Sequence, residues 1–291
     1  MIETIATVVT HDEYAPGYKR ITLGFDLPIT TRPGQFAMLK PLGRFEPLLR
    51  RALAVYAAPQ LDCLSFLYQV LGRGTQALAE CRPGSKVEAL APLGNSWPLP
   101  LKPYEEPGKS VDRAGTELKA AARKAIVVSG GIGSASVYTL CDGLARQGTE
   151  TQLFFGAASR TAAIGCGLHD FDGMALTLTA TTDDGSLGER GFVTAPLERY
   201  LRDGGGKDAI IYACGPWMML RRVAEIAAQF ELPCLASLEA PMGCGFGVCV
   251  GCVVAMKTDG DLGYDSYKRV CTDGSIFPAN SIRWDVNAMA H

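Results

Sequence analysis

The stretch "AIVVSGGIGSAS", residues 125–136, runs from a buried strand through a glycine-rich turn into a helix. Apolar residues fill its first four positions, and glycines stand at 130, 131 and 133. A strand that leads into a helix in this way is the repeating unit of a parallel sheet covered by helices. The stretch therefore predicts an α/β domain that begins near residue 123.

The residues after this stretch continue the alternation of strand and helix. Strand-like runs are "TQLFFGAAS", "ALTLTATTD" and "AIIYACG", and runs with helical spacing are "SASVYTLCDGLARQG" and "PWMMLRRVAEIAAQF". Gly148 ends the first of these helices and Pro216 begins the second, as these residues often do. We expect a parallel-sheet domain over residues 123–232.

Residues 1–100 instead read as short strands separated by turns, with Pro-Gly pairs at 33–34 and 83–84. The strands are "ETIATVVT", "YKRITLGF", "GQFAMLK", "RALAVYAA", "CLSFLYQV" and "SKVEALAP". Strands of this length and spacing predict a small antiparallel β barrel. Residues 101–122 lose the alternation and gain proline, glycine and charge, which predicts a linker or insertion with one helix near 116–123.

A third region, residues 233–291, is dominated by cysteine and glycine. Cys244, Cys249 and Cys252 follow the spacing C-x4-C-x2-C, and Cys271 comes later. This is the plant-type ferredoxin spacing for a [2Fe–2S] cluster with four thiolate ligands. The glycines between the cysteines permit the tight turns that wrapping a cluster requires.

Two other readings of these thiols are a structural zinc site and unliganded buried cysteines. Structural zinc normally uses closely spaced cysteines in two pairs, whereas Cys271 stands alone after three neighbouring thiols. The spacing therefore favours the iron–sulfur cluster. The remaining cysteines are expected mostly in the core: Cys63, Cys81, Cys141, Cys166, Cys214 and Cys234.

Two glycine-rich turns suit nucleotide phosphates. Gly130, Gly131 and Gly133 would let a pyrophosphate approach the backbone at the start of a helix. A later strand ends in Cys214, Gly215 and Pro216, at the edge where open parallel sheets bind ligands. Taken alone, the first turn is a weak signal, because glycine turns between strand and helix are common, and the second turn reads better as an ordinary turn at a strand end.

The predicted barrel offers a second pyrophosphate site. Arg51 stands at the start of a strand, and Gly72, Gly74 and Thr75 precede a helical run. An arginine fork beside a glycine-rich turn suits a pyrophosphate. Arg50 and Arg51 are also compatible with a solvated strand edge.

Composition limits the classes of partner. The formal net charge of −2 leaves no basic excess for nucleic acid or an anionic membrane. No apolar run reaches the roughly 18 residues of a membrane span, and the first residues do not read as an export signal. Ten scattered cysteines in a chain with these features predict a reduced, cytoplasmic protein.

The order of the motifs "RRALAV", "GRGT", "SGGIG", "CGP" and "MGCGFGVCVGC" resembles the ferredoxin–NADP⁺ reductase superfamily. More narrowly, it is similar to the electron-transfer subunits of NAD-linked dihydroorotate dehydrogenases. The resemblance implies an FAD-binding barrel, an NAD-binding domain and a [2Fe–2S] region. It also implies an FMN-containing catalytic subunit as partner, with two copies of each chain. The first alternative is a diaphorase subunit of a hydrogenase or sulfide dehydrogenase, and the second is a non-enzymatic, zinc-stabilised binding module.

The same resemblance implies which residues hold the flavin. They are Arg51 with Ala52, Leu53 and Ala54, then Leu67, Tyr68 and Gln69, and finally Gly74 and Thr75 at the phosphates. Two of them depart from the family pattern. Ala54 replaces a usual serine and so lacks a hydroxyl for the flavin edge, and Gln69 replaces a common arginine.

The resemblance places NAD(H) on the two turns of the α/β domain, with Cys214, Gly215 and Pro216 near the nicotinamide. Hydride transfer to a flavin needs close stacking rather than an acid or base, so we expect no catalytic side chain. Ser159 and Arg160 follow a strand where an arginine could meet a 2′-phosphate or stack on adenine. The family favours NAD over NADP.

Overall fold

The computed structural model describes residues 1–99, 124–258, 263 and 266–286. The predicted insertion at 101–122 lies outside the described residues, as does the helix predicted near 116–123.

Antiparallel strands form the first sheet, a curled half-barrel. They are β1 (Ile2–Ala15), β2 (Tyr18–Gly24), β3 (Phe36–Pro41), β4 (Arg51–Ala54), β5 (Ala57–Gln60), β6 (Cys63–Gln69) and β7 (Lys86–Leu93). Their spatial order is β4-β3-β7-β1-β2-β6-β5. The sequence therefore predicted the position and type of this sheet correctly.

One predicted strand is divided. We expected "RALAVYAA" to be continuous, but β4 pairs with β3 and β5 pairs with β6, at opposite edges of the sheet. The crossing lies at Val55, whose N–H donates to the carbonyl of Gln35, and Tyr56, whose N–H donates to that of Ser65. The chain therefore passes from one edge to the other, a change of partner that no local pattern encodes.

The remaining strands are β8 (Lys124–Gly130), β9 (Glu150–Ala157), β10 (Thr177–Thr182), β11 (Glu189–Arg190), β12 (Ala209–Cys214), β13 (Cys234–Ser237), β14 (Val253–Ala255), β15 (Tyr267–Arg269) and β16 (Ile276–Pro278). The second sheet has the order β11-β10-β9-β8-β12-β13-β16 and is parallel except for β16. Strands β14 and β15 form a separate antiparallel pair. The predicted parallel sheet is confirmed, and β13 and β16 extend it with strands from beyond residue 232.

The α-helices of the described residues are α1 (Arg73–Ala79), α2 (Ser134–Arg146), α3 (Arg160–Gly165), α4 (Thr194–Tyr200) and α5 (Trp217–Gln229). Helix α1 belongs to the barrel, and α2 and α5 follow β8 and β12 directly. Among the described residues, no helix is both long and apolar enough to cross a membrane.

One buried cluster joins the barrel, the parallel sheet and the cysteine-rich region. Phe36 and Met38 of β3 belong to the same buried cluster as Ile126 of β8, Cys252 and Cys271. Burial of apolar surface is the main stabilising contribution to such contacts. The cysteine-rich region is therefore packed against both sheets.

Candidate functional site

The cysteine-rich loop of residues 243–251, called the thiol loop below, lies directly on the barrel. Gly245 and Gly247 have φ values of +83° and +89°, which glycine adopts without strain. A Cβ on Gly245 would stand 2.5 Å from Cγ of Met38 on β3, and one on Gly247 would stand 2.9 Å from Thr272. Both glycines are therefore required by their backbone conformation and by close packing.

The four predicted ligands come from two segments and stand as two pairs. The N–H of Cys249 donates to Sγ of Cys244 at 3.5 Å, and the N–H of Cys271 donates to Sγ of Cys252 at 3.4 Å. Cys249 is exposed, whereas Cys252 and Cys271 are buried. In the described part of the chain, no three Cys, His, Asp or Glu side chains already converge as a metal site. The donor chemistry, four thiols with backbone N–H groups on the sulfurs, fits the predicted cluster.

The loop also favours a thiolate at one ligand position. Burial alone would raise the pKa of the Cys244 thiol, but the N–H groups of Cys249, Phe246 and Val248 lower it to about 6. Burial, followed by the neighbouring Cys252, raises the pKa of Cys271 to about 12. Backbone N–H groups that stabilise negative sulfur are what a thiolate-ligated cluster requires.

Arg51 lies beside Gly74, as the sequence predicted. The neighbouring Arg50 has different partners. The guanidinium of Arg51 lies across Gly74, where a Cβ would stand 1.9 Å from Nε. Arg50 pairs with Glu3 and, at 3.3 Å, with Glu88. Within the described residues, no carboxylate pairs with Arg51, which donates only to backbone carbonyls. Arg51 is therefore the arginine available to an anionic ligand.

The other predicted flavin residues divide between two faces. Ala52, Leu53 and Ala54 lie half-buried on β4, the edge strand of the barrel. On β6, Leu67 faces the α/β domain, while Tyr68 lies in the barrel core with its hydroxyl 2.9 Å from Nε2 of His11. Only backbone atoms of Tyr68 can therefore contact a ligand outside the barrel.

Gln69 and Thr75 have more local partners. Gln69 ends β6 and pairs with Tyr18 of β2. Thr75 Oγ1 accepts from the N–H of Leu71 and of Gly72 at the start of α1. The hydroxyl of Thr75 thus orders the turn that leads into α1.

The two glycine turns of the parallel sheet pack against each other. Ser129 and Cys214 are paired in register at the carboxyl ends of β8 and β12. A Cβ on Gly133 would stand 2.4 Å from the carbonyl oxygen of Cys214, and one on Gly215 would stand 3.0 Å from the backbone of Gly130. The two turns therefore form one surface at the point where the strand order reverses, which is where open α/β sheets bind ligands.

Within this surface the residues have different environments. Gly131 has φ +54° and open space where a Cβ would project, as a close-approaching phosphate needs. Cys214 is buried, and Pro216 caps α5. Met219 was not expected here from the sequence, and its sulfur would be 2.4 Å from a Cβ on Gly130. The only sequence signal for Met219 is its position in the first turn of α5, shortly after Gly215.

Arg160 is held by the loop that contains Ser186, whose sequence did not indicate a site. Its backbone N–H donates to Oγ of Ser186 at 2.7 Å, and its Nε donates to the carbonyl of Ser186 at 3.1 Å. Asp184 accepts from the same serine hydroxyl. Arg160 is therefore anchored beside the ends of β9 and β10 rather than extending freely.

The barrel and the parallel sheet together match the fold of solved reductase structures. The chain is similar in structure to the NADH-dependent reduced ferredoxin-NADP oxidoreductase, with a TM-score of 0.75, 22% identity, and coverage of 97% of this chain and 91% of that one. It is also similar to a ferredoxin NADP⁺ reductase from Neisseria gonorrhoeae, with a TM-score of 0.60, 14% identity, and coverage of 78% and 91%. At these identities the likeness concerns the fold alone.

Sequence relatives define the family. Residues 239–283 match the iron–sulfur cluster binding domain of dihydroorotate dehydrogenase B. The chain is 32% identical to the dihydroorotate dehydrogenase B (NAD(+)) electron transfer subunit of Desulforamulus reducens, over 90% of this chain and 91% of that one. It is 33% identical to that of a Geobacillus species, over 95% and 96%. The chain belongs to the family of electron transfer subunits of dihydroorotate dehydrogenase B, which confirms the resemblance inferred from the motifs.

Proposed function

We propose that this chain carries electrons between NAD(H) and a separate FMN-containing subunit that oxidises dihydroorotate to orotate, through bound FAD and a [2Fe–2S] cluster. The names of its relatives support a catalytic partner, since they are electron transfer subunits. We further propose two copies of each chain in a cytoplasmic complex. The matched iron–sulfur domain favours this function over a zinc-stabilised binding module, and the names of the relatives favour it over a diaphorase of another enzyme.

The observation that carries the proposal is a contact between the thiol loop and β3. Strand β3 lies next to β4, which is proposed to bind the flavin. Gly245, next to Cys244, touches Met38 on β3. Met38 is paired in register with Ala52 on β4, the strand proposed to hold the flavin. Strand β3 thus separates the thiol loop from the proposed flavin site on β4, which supports a short route for electrons.

We assign the flavin to the barrel within residues 1–100. When bound, FAD would exchange a hydride with nicotinamide and single electrons with the cluster. Arg51 would hold its pyrophosphate through charge-assisted hydrogen bonds, with Gly74 leaving room for the arginine and Thr75 ordering the turn. Ala52, Leu53, Ala54, Leu67 and the backbone of Tyr68 and Gln69 would line the rest of the site.

We assign NAD(H) to residues 123–232. Gly131 and the start of α2 would receive the pyrophosphate, and Gly130 and Gly133 allow the turns to pack closely. Cys214, Gly215 and Pro216 would border the nicotinamide. No residue need act as acid or base, because hydride transfer depends on stacking and exclusion of water.

We propose that the partner docks on the tip of the thiol loop. Phe246, Val248 and Val250 expose 43%, 72% and 40% of their surface, and Cys249 between them is exposed. Apolar side chains grouped at a surface are typical of protein interfaces. This tip would bring the cluster region of residues 233–291 close to the partner.

The experiment uses the purified chain with its cofactors and the FMN-containing subunit from the same source. We expect about two irons, two acid-labile sulfides and one FAD per chain. The chain alone should oxidise NADH with an artificial dye but should not oxidise dihydroorotate. The added FMN subunit should restore dihydroorotate-dependent reduction of NAD⁺. Zinc without labile sulfide, or dihydroorotate oxidation by the chain alone, would contradict the proposal.

A further inference from the structure

One carboxylate of the α/β domain accepts hydrogen bonds from two tyrosines of the barrel. Oδ2 of Asp170 accepts a hydrogen bond from the hydroxyl of Tyr14 at 2.8 Å and a second from the hydroxyl of Tyr56. Tyr14 lies on β1 and Tyr56 between β4 and β5, whereas Asp170 lies in the turn of residues 168–171 that follows α3. Both donors therefore come from the barrel and the acceptor from the other domain.

Two glycines in the same segment make space for barrel tyrosines. A Cβ on Gly165 would stand 2.3 Å from the ring of Tyr18, and one on Gly167 would stand 2.6 Å from the hydroxyl oxygen of Tyr56. Any other residue at these positions would displace a tyrosine from the interface. The geometry of this contact therefore depends on packing as well as on the two hydrogen bonds to Asp170.

The contact lies between the two proposed cofactor sites. The ring of Tyr56 stacks on Tyr138 of α2, with centroids 4.4 Å apart and an interplanar angle of 28°. Tyr56 also packs with Leu67 of β6 and Ala135 at the start of α2, and Ala54 and Ile132 border this cluster. One side of the contact thus belongs to β4 and β6, the strands proposed to bind the flavin. The other side belongs to the glycine turn between β8 and α2.

The two hydroxyls are held as donors. Burial, followed by the hydrogen bond to Asp170, raises the pKa of Tyr14 and of Tyr56 above the ordinary value for a phenol. Both tyrosines therefore remain protonated, and their hydrogen bonds to the carboxylate are charge-assisted.

We infer that Asp170, through Tyr14 and Tyr56, sets the angle between barrel and α/β domain and so the distance for hydride transfer between nicotinamide and flavin. The inference rests on the proposed function, because it concerns the same hydride transfer. Asp170 is a positioning residue, since it acts through the tyrosines. Misplacement of reacting groups by about 1 Å can slow a reaction by about 100-fold, so loss of these bonds should affect rate.

The test is the rate constant of flavin reduction by NADH, measured by stopped flow in the FAD-loaded chain. The variants are Tyr14→Phe, the double variant Tyr14→Phe/Tyr56→Phe, Asp170→Ala and the conservative Asp170→Asn. Tyr138→Phe is the matched control, because within the described residues its hydroxyl makes no hydrogen bond and its ring can still stack. FAD content and the dissociation constant for NADH are measured in parallel.

We expect the double variant and Asp170→Ala to slow flavin reduction about tenfold or more and to weaken the charge-transfer absorbance of the NADH–flavin complex. FAD content should stay unchanged and NADH binding within about threefold, while Asp170→Asn should recover part of the rate. Tyr138→Phe should match the wild type.

Two failures can be told apart. If the wild type is not reduced by NADH, the proposed function fails. If the wild type is reduced and both tyrosine variants are reduced equally fast, the inference about Asp170 fails. Should Asp170→Ala not fold, Tyr14→Phe and the double variant decide the outcome, since they remove only hydroxyl groups.

Discussion

At the scale of single residues, Arg50 and Arg51 show how neighbours in sequence receive different roles. They alternate across the start of an edge strand, so their side chains leave it in opposite directions. Arg50 meets the carboxylates of Glu3 and Glu88, whereas Arg51 lies over the glycine turn at Gly74. The structure therefore distinguishes two arginines that the sequence left as alternatives.

Replacing Arg51 with Ala should weaken retention of FAD. Loss of a charge-assisted contact to pyrophosphate should cost about 1.5–3 kcal/mol of binding free energy. Arg50→Ala is the matched control and should retain FAD, because Arg50 is already paired with carboxylates. Flavin content after gel filtration measures the effect. Loss of flavin from the Arg50 variant alone would reverse the assignment.

At the scale of elements, the turns after β8 and β12 pack against each other as one unit. Gly133 has an ordinary helical φ of −58°, so its backbone would tolerate any residue. Its side chain position, however, is filled by the backbone of Cys214 and Gly215. The glycine is therefore explained by the contact between two turns rather than by its own turn.

We expect Gly133→Ala to lower the free energy of unfolding by about 1–3 kcal/mol, because a Cβ would force the two turns apart. The control is Gly72→Ala, where no atom lies within 4 Å of the added Cβ and φ is extended. Urea unfolding measures both variants. Equal stability of the two variants would mean that the turns separate without cost.

The thiol loop is a second element whose role can be isolated. Cys249→Ser should remove or destabilise the cluster while leaving FAD bound, because Cys249 lies outside the barrel site. Cys81→Ser is the control, since Cys81 is half-buried in the barrel and its thiol lies 3.7 Å from the carbonyl of Ala77. The contents of iron, labile sulfide and flavin are measured in both variants. Equal loss of both cofactors from Cys249→Ser would contradict the separation of the sites.

At the scale of the whole molecule, the exposed tip of the thiol loop is the proposed contact with the catalytic subunit. Val248→Asp should weaken association and dihydroorotate-dependent NAD⁺ reduction by about tenfold or more, because a charge would be buried in an apolar interface. NADH-dependent dye reduction should not change. The control is Leu61→Asp in the turn between β5 and β6, where Leu61 is 81% exposed. An unchanged affinity of the Val248 variant would exclude this surface.

The sequence by itself determined the two kinds of sheet, most of their strands and the order of the regions. Alternation of strand and helix, the C-x4-C-x2-C spacing and the glycine turns are local patterns, because backbone geometry and ligand reach act over a few residues. They were sufficient to predict the barrel, the parallel sheet and the four cysteines as a ligand set. They also identified the family.

Contacts between distant parts of the chain were decided only by the tertiary structure. Tyr14 and Asp170 stand 156 positions apart, and Tyr56 and Asp170 stand 114 apart, so no spacing could connect them. The division of the fourth predicted strand and the contact of Gly245 with Met38 likewise depend on which surfaces meet when the two sheets pack. Packing brings together groups that are unrelated in sequence, and here it joins the barrel to the sheet and the thiol loop.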